Sequence, residues 1–257
     1  KCPSCGSKTI KEFNTTTKKF DAVRRCSSEG YYCEKISVEK LKHFVSKEAF
    51  NIDGFGKKIV EKFWNLKLIK FPQDIFTLDY EIIKKQDGWG TLSITNLKNS
   101  ILKSKNISLD RFIYSLGIRH IGQENAKLLS KHLRTSDNFF KLSTNKKMNE
   151  LLNIDGIGET QIKSIKKFFS NKINLEVLSE LKKIVFILET NTAKGTGILK
   201  DKTFMFTGKL SNISRAEAKS LVEQNSGKIV SNVGKKLNYL IVGDKPTTRK
   251  VNSARDL

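Results

Sequence analysis

Acidic residues are scarce. Only 26 Asp and Glu stand against 48 Lys and Arg in 257 residues, giving a formal charge of +22. That deficit argues against a basic partner and for a polyanionic one. It is not confined to a tail, since the excess is +4 over 1–36, +11 over 37–197 and +7 over 198–257. Lysine outnumbers arginine 40 to 8, and Ile and Asn are plentiful, so part of the excess reads as the solvated lysine surface that AT-rich coding produces. Nucleic acid is still the leading partner class. Long apolar runs are also missing: none approaches the roughly 20 residues of a membrane span, and "KCPSCGSK" is no signal peptide. The chain is therefore read as intracellular, with no membrane partner. No cysteine follows Cys33, and no cluster of Asp and Glu suits the metal chemistry of a nuclease. No run of strands is long enough for a large β-rich catalytic domain. Hydrophobic residues make up 38%, enough for two or three modest cores.

Residues 1–36 hold all four cysteines, as Cys2-x2-Cys5 and Cys26-x6-Cys33, around a basic, hairpin-like insert. Two paired ends fit a closed, structural zinc site with four thiolate ligands. Such a site would organise about thirty residues that have too little core of their own. A redox CxxC would need a βαβ context that is absent, and an iron–sulfur cluster is the other thiolate option. An intracellular setting disfavours disulfides.

From Ser37 to about Thr190 the pattern is helical, as in "KKIVEKFWNL", "AKLLSKHL" and "IKSIKKFFS". This middle segment repeats itself. It reads "DGFGKKIVEKF" from Asp53, "DGWGTLSITNL" from Asp87, "RHIGQENAKLL" from Arg119 and "DGIGETQIKSI" from Asp155. The second positions, Gly54, Gly88, His120 and Gly156, lie 34, 32 and 36 residues apart. Each copy is expected to be a helix, a tight turn and an amphipathic helix, with Phe55, Trp89, Ile121 or Ile157 facing inward.

A Gly-x-Gly turn opening a helix leaves backbone N–H groups pointing outward, and glycine lets a phosphate approach them. Gly54, Gly56, Lys57, Lys58, Gly88, Gly90, Arg119, Gly122, Gly156, Gly158 and Lys163 are the candidate DNA-binding residues. Such units grip the sugar-phosphate backbone without reading bases, and the glycines should matter more than the neighbouring lysines. In the third copy His120 replaces glycine: its hairpin is strained, or the imidazole faces the backbone, or it is an ordinary surface histidine. His43 and His132 receive no role. The four copies resemble the helix-hairpin-helix motif of DNA-binding proteins.

Lys85-Gln86-Asp87-Gly88 also spells K-x-D-G, the tetrapeptide of the AMP-accepting lysine in covalent nucleotidyltransferases. The repeat explains it otherwise. Asp87-Gly88 is the turn pair of copy two, and Lys85 is in register with Asn51, Gly117 and Asn153, so it reads as a lysine beside a turn.

"TNTAKGTG" (190–197) is small and polar and reads as a linker. Beyond it "TFMFTG", "KIVSN" and "YLIVG" are strand candidates around one helix, with Ser214 and Glu217 as a capping box and Gly227 as the left-handed residue past its end. This β-α-β-β order resembles a BRCT domain. In some members a Thr/Ser-Gly pair and a lysine bind phosphate, which makes Thr207, Gly208 and Lys236 candidates; otherwise Thr207-Gly208 is only a strand exit. The family's last strand and helix would follow Leu257.

The expected fold is therefore mainly α and multidomain: a four-cysteine zinc finger over 1–36, an all-α helix-hairpin-helix domain of four repeats over 37–190, a linker over 191–197 and an incomplete α/β BRCT domain over 198–257. That module order resembles the C-terminal part of bacterial NAD-dependent DNA ligases. The resemblance implies a monomer that grips and encircles nicked duplex DNA, in the cytoplasm and associated with the nucleoid, with a protein or DNA end as a further BRCT partner. It implies Zn2+ bound here, and NAD and Mg2+ bound only in catalytic domains that would precede Lys1, so this stretch would be inactive alone. The alternative is a non-catalytic DNA-binding scaffold of a repair or clamp-loading factor.

Overall fold

The computed structural model describes residues 1–14, 18–144, 148–190, 197–213, 215–230 and 232–257. The cysteine-bearing segment has almost no core and is built from two small ladders. Strand β1 (Thr9–Ile10) pairs antiparallel with β4 (Arg25–Cys26), and β2 (Phe13–Asn14) with β3 (Lys19–Phe20). Helix α1 (Glu34–Phe44) starts directly after Cys33, its N-cap residue, so it crosses the expected boundary at residue 36. Leu41 and Phe44 on its inner face open the main core.

That core runs without a break from Tyr31 to Val185. It is filled from α2 (Lys57–Asn65), a 3-10 turn at Pro72–Thr77, α3 (Tyr80–Lys84), α4 (Thr91–Ser104), α5 (Leu109–Ser115), α6 (Gln123–Leu133), α7 (Ser136–Phe140), α8 (Glu159–Phe169) and α9 (Lys172–Ile184). Apolar positions three and four apart supply it, such as Val60 and Phe63 on α2, or Ile162, Ile165 and Phe169 on α8. Phenylalanine rings tie the layers together: Phe44 stacks on Phe50 at 4.1 Å, and Phe139 meets Phe169 edge to face at 5.3 Å. His43 is a structural bridge, its Nε2 lying 2.7 Å from the Tyr114 carbonyl.

The all-α expectation for residues 37–190 needs correcting. Strand β5 (Asn106–Ser108) pairs in parallel with β6 (Phe186–Leu188) across 80 residues of chain, closing the domain. Three-residue strands are too short to carry a legible alternation.

The C-terminal unit is a three-stranded parallel sheet, β8 (Lys228–Ile229), β7 (Thr203–Thr207) and β9 (Tyr239–Val242) in spatial order, with α10 (Arg215–Gln224) packed through Ala218 and Val222 onto Phe204 and Phe206. The β-α-β-β order matches the sequence reading, with two corrections. A second helix, α11 (Thr248–Arg255), follows β9; no residue of it is buried, so it carried no apolar signal. The left-handed residue past α10 is Ser226, at φ 68°, and not Gly227. Gly227 is needed for room, since a Cβ there would lie 2.6 Å from Val222 Cγ1. Ser214 of the expected capping box and all of the expected linker except Gly197 fall outside the described residues. The unit touches the main domain through Lys127 and Glu223, 3.6 Å apart. No helix among the described residues is long and apolar enough to cross a membrane.

Candidate nucleic-acid interface and metal centre

The four repeated stretches fold into four turns of one geometry. In each, an amide three residues on donates back to a carbonyl: Phe55 to Ile52 at 3.1 Å, Trp89 to Gln86 at 3.2 Å, Ile121 to Ile118 at 3.0 Å and Ile157 to Ile154 at 3.0 Å. The third turn residue has positive φ every time, 80° at Gly54, 83° at Gly88, 61° at His120 and 89° at Gly156. The apolar residue that follows is buried at Phe55, Ile121 and Ile157, while half-buried Trp89 lies against Phe63 at 5.5 Å. Then comes a helix N-cap in extended conformation: Gly56 before α2, Gly90 before α4, Gly122 before α6 and Gly158 before α8. What precedes the turns varies, with α3 and α5 before the second and third, a 3-10 stretch (Met148–Asn153) before the fourth, and irregular chain before the first.

The positive-φ position and the N-cap position of each turn serve different needs. Gly54, Gly88 and Gly156 are required by their positive φ, and His120 carries the strain of a side chain in the same conformation, about 1–2 kcal/mol. The N-cap glycines have no such requirement. Gly56 and Gly90 have φ of −69° and −83°, and a Cβ on Gly56, Gly90 or Gly122 would meet nothing within 4 Å. The chain's own packing does not explain glycine there, whereas an external group coming close to the first-turn amides does.

The helix starts also differ in charge. No carboxylate lies in the first turn of α2 or α4, and none of the N-cap residues of α2, α4 and α6 makes a side-chain capping bond. Glu124 stands in the first turn of α6 and Glu159 in that of α8, where Gln161 Oε1 also accepts from the Gly158 amide at 3.2 Å. The first two turns are thus the more open to an anion. Lys57, Lys58 and Lys163 are exposed beside their turns.

The four cysteines converge. Their Sγ atoms all lie within 4.8 Å of one another, with Cys2–Cys33 at 3.9 Å and Cys5–Cys26 at 3.5 Å. None forms a disulfide. A tetrahedron of metal–sulfur bonds about 2.3 Å long has edges near 3.8 Å. The surroundings favour thiolates at Cys5 and Cys2. The hydroxyls of Ser28 and Ser7 bring Cys5 down to about 5, and the amides of Cys5 and Ser4 lower Cys2. The Ser28 hydroxyl and its amide, which donates to Cys26 Sγ at 3.4 Å, pull Cys26 down, but burial and the neighbouring Cys5 and Cys2 thiols raise it on balance. Four sulfurs from two knuckles can hold one ion with no position left open, which suits a structural site.

In the C-terminal unit the three candidate phosphate ligands are not brought together. Thr207 is buried, and its Oγ1 accepts from the Thr247 amide at 3.1 Å. Gly208, at φ 81°, passes so close to Gly243 that a Cβ would lie 2.5 Å from its carbonyl oxygen, and its own carbonyl takes Arg215 Nη2 at 2.6 Å. The Lys236 carbonyl accepts from the Thr203 hydroxyl at the other end of β7, about 13 Å from Thr207 at the rise of a strand. The Lys236 backbone therefore stands at the far end of β7 from Thr207; Arg215 is the cation beside Gly208.

Comparison with known proteins bears on what carries these sites. The family model of the helix-hairpin-helix motif matches residues 111–178, which take in the third and fourth turns, and that of the BRCA1 C Terminus (BRCT) domain matches 194–257. A DNA ligase of Pelagibacter ubique (strain HTCC1062) is 68% identical over 256 residues, covering 100% of this chain and 38% of the relative. A DNA ligase of Wolbachia pipientis wMel is 41% identical over 254 residues, covering 96% and 37%, and one of Parvibaculum lavamentivorans is 39% identical over 269 residues, covering 100% and 38%. Along nearly its whole length the chain is similar to these DNA ligases. It spans between a third and two-fifths of the length of these relatives.

Two residues have surroundings that their sequence context disguised. Lys85, with its K-x-D-G tetrapeptide, is the exposed C-cap of the five-residue helix α3, and the next residues make the second turn. Arg119, a candidate DNA-binding residue, is 40% exposed and forms an ion pair that the sequence did not show. Its Nε donates to Glu12 Oε2 at 2.9 Å, its Nη2 bonds the same oxygen, and Asp21 lies 3.8 Å away. Arg119 is thus engaged by the cysteine module. Its partner lies 107 residues distant in the chain, beyond the reach of any spacing rule. Gln161, three residues after the Gly158 cap, was legible as a capping position but was missed.

Proposed function

We propose that this chain is the DNA-gripping C-terminal portion of an NAD-dependent DNA ligase, holding nicked duplex in place while other domains of the enzyme join the strands in replication and repair. The observation that carries this reading is the row of N-cap glycines, Gly56, Gly90 and Gly122, unstrained and with open space where a Cβ would stand. Four such turns act as helix-hairpin-helix repeats, their first-turn amides and adjacent Lys57, Lys58 and Lys163 taking backbone phosphates without reading bases. Cys2, Cys5, Cys26 and Cys33 hold one structural Zn2+. The domains divide as zinc finger, helix-hairpin-helix, linker and BRCT, and the BRCT unit offers a further contact to a protein or a DNA end through Gly208 and Arg215. The chain acts as a monomer on nucleoid DNA in the cytoplasm. NAD and Mg2+ belong to the adenylation chemistry of other domains. The scaffold alternative is set aside because the relatives are named as ligases.

Nicked-duplex binding across a salt series tests the proposal. Log affinity should fall by roughly 0.9 per log unit of salt for each phosphate neutralised. Incubation with NAD should add no AMP mass at Lys85 and seal no nick. A flat salt response, or marked preference for one base sequence, would overturn the gripping reading; an adduct on Lys85 would overturn the reading of the tetrapeptide.

A further inference from the structure

The β2–β3 hairpin presents its faces in an unusual sense. Phe13 and Phe20 are Cα partners, and on the next rung the Asp21 amide donates to the Glu12 carbonyl at 2.7 Å. Side chains alternate along a strand, so the two rings share one face and the two carboxylates the other. It is the carboxylate face that is docked. Glu12 and Asp21 are half-buried against Arg119, and Glu12 Oε2 also lies 3.6 Å from His120 Nε2. The aromatic face is bare. Phe13 is 50% and Phe20 65% exposed, and the two rings meet edge to face at 5.1 Å.

We propose that the Phe13–Phe20 pair is a base-stacking surface for duplex DNA at a strand interruption, aimed by the ion pairs of Glu12 and Asp21 with Arg119. This rests on the DNA-binding reading and adds a contact to it. Charge selects the partner. Between residues 8 and 25 Glu12 and Asp21 are the only acids, and both turn toward Arg119, which leaves exposed Lys11, Lys18, Lys19 and Arg24 to set the field around the rings. Position favours the same ligand. Arg119 lies in the third turn, three residues before Gly122 opens α6, so a backbone held at those amides passes close to the hairpin. The chemistry agrees as well. A phenyl face stacks on any base without reading it, as a non-specific grip requires, and a nick is where a base step opens most easily.

The test compares the whole chain with Phe13→Ala/Phe20→Ala and Phe13→Leu/Phe20→Leu. Binding is measured on intact duplex and on nicked duplex carrying 2-aminopurine beside the nick. Metal content and circular dichroism check the fold. Because both rings are exposed, the variants should match the parent in both. The expected result is about tenfold weaker binding of nicked duplex by both variants, with loss of the 2-aminopurine response and less than twofold change on intact duplex. Nicked-duplex binding by the alanine variant within twofold of the parent would overturn the proposal and assign the face to a protein surface. Parental affinity in the leucine variant would overturn stacking in favour of simple apolar contact. Failure of the parent to bind either duplex would remove the DNA-binding reading and this proposal with it.

Discussion

Replacing Gly90 by serine separates the two demands on a hairpin glycine. Gly90 caps α4 in extended backbone (φ −83°, ψ 170°), and a Cβ there meets nothing within 4 Å. Serine is as good an N-cap as glycine or better, so Gly90→Ser should leave stability unchanged or raise it by a few tenths of a kcal/mol. Binding should respond in the opposite direction. The new hydroxyl takes up a first-turn amide and stands where a phosphate must come. A hydrogen bond to a charged group is worth about 1.5–3 kcal/mol, so nicked-duplex affinity should fall roughly ten- to hundredfold. Gly88→Ser, two residues earlier at φ 83°, is the contrasting control: strain of about 1–2 kcal/mol should lower stability as well. Lys163→Ala removes one exposed, screened charge and should cost less than about 1 kcal/mol of binding. Gly156 is a poorer place for the test, because a Cβ there would lie 2.9 Å from Leu128 Cδ1. Urea denaturation and fluorescence anisotropy at low salt read the two quantities. Gly90→Ser binding within twofold of the parent would refute the reasoning and leave the hairpins as structural turns only.

Three further outcomes are expected. The reduced chain should carry one zinc per molecule by elemental analysis, and a strong chelator should abolish the protease resistance of residues 1–33 while the main helical core stays folded; a metal-free chain with intact resistance would argue against the site. Lys40, half-buried beside Tyr31 and donating to the Gly30 carbonyl at 3.0 Å, is brought down from 10.5 to about 8 by desolvation. Between about pH 8 and 10.5 the unfolded chain therefore holds the proton that the folded chain has lost, and the parent should gain stability relative to Lys40→Met, by up to roughly 3 kcal/mol across that window. A constant difference between the two would contradict it. Arg119→Ala should cost about 1 kcal/mol or less of stability, as an ion pair 40% and 32% exposed allows, but should expose the Glu12 edge of the cysteine module to faster amide exchange. Unchanged exchange there would mean that the pair does not hold the module.

Sequence alone determined what depends on local rules. The positive-φ turn positions were legible because only a glycine, or a strained residue such as His120, fits them, and their recurrence every 32 to 36 residues marked four turns of one geometry. The cysteine spacing named four sulfurs that converge, since two short knuckles leave the chain little choice. Helices α2, α6 and α8 announced themselves by apolar positions three and four apart. Tertiary structure decided what depends on residues distant in the chain. The β5–β6 pair joins segments 80 residues apart, and strands of three residues leave no period to read. The pairing of Arg119 with Glu12 on another module, and the placing of Thr207 and the Lys236 carbonyl at opposite ends of β7, are likewise set only in three dimensions. The outward face of Phe13 and Phe20 was equally hidden: alternation shows that they share a side, but only the docking of Glu12 and Asp21 onto Arg119 decides which side meets solvent.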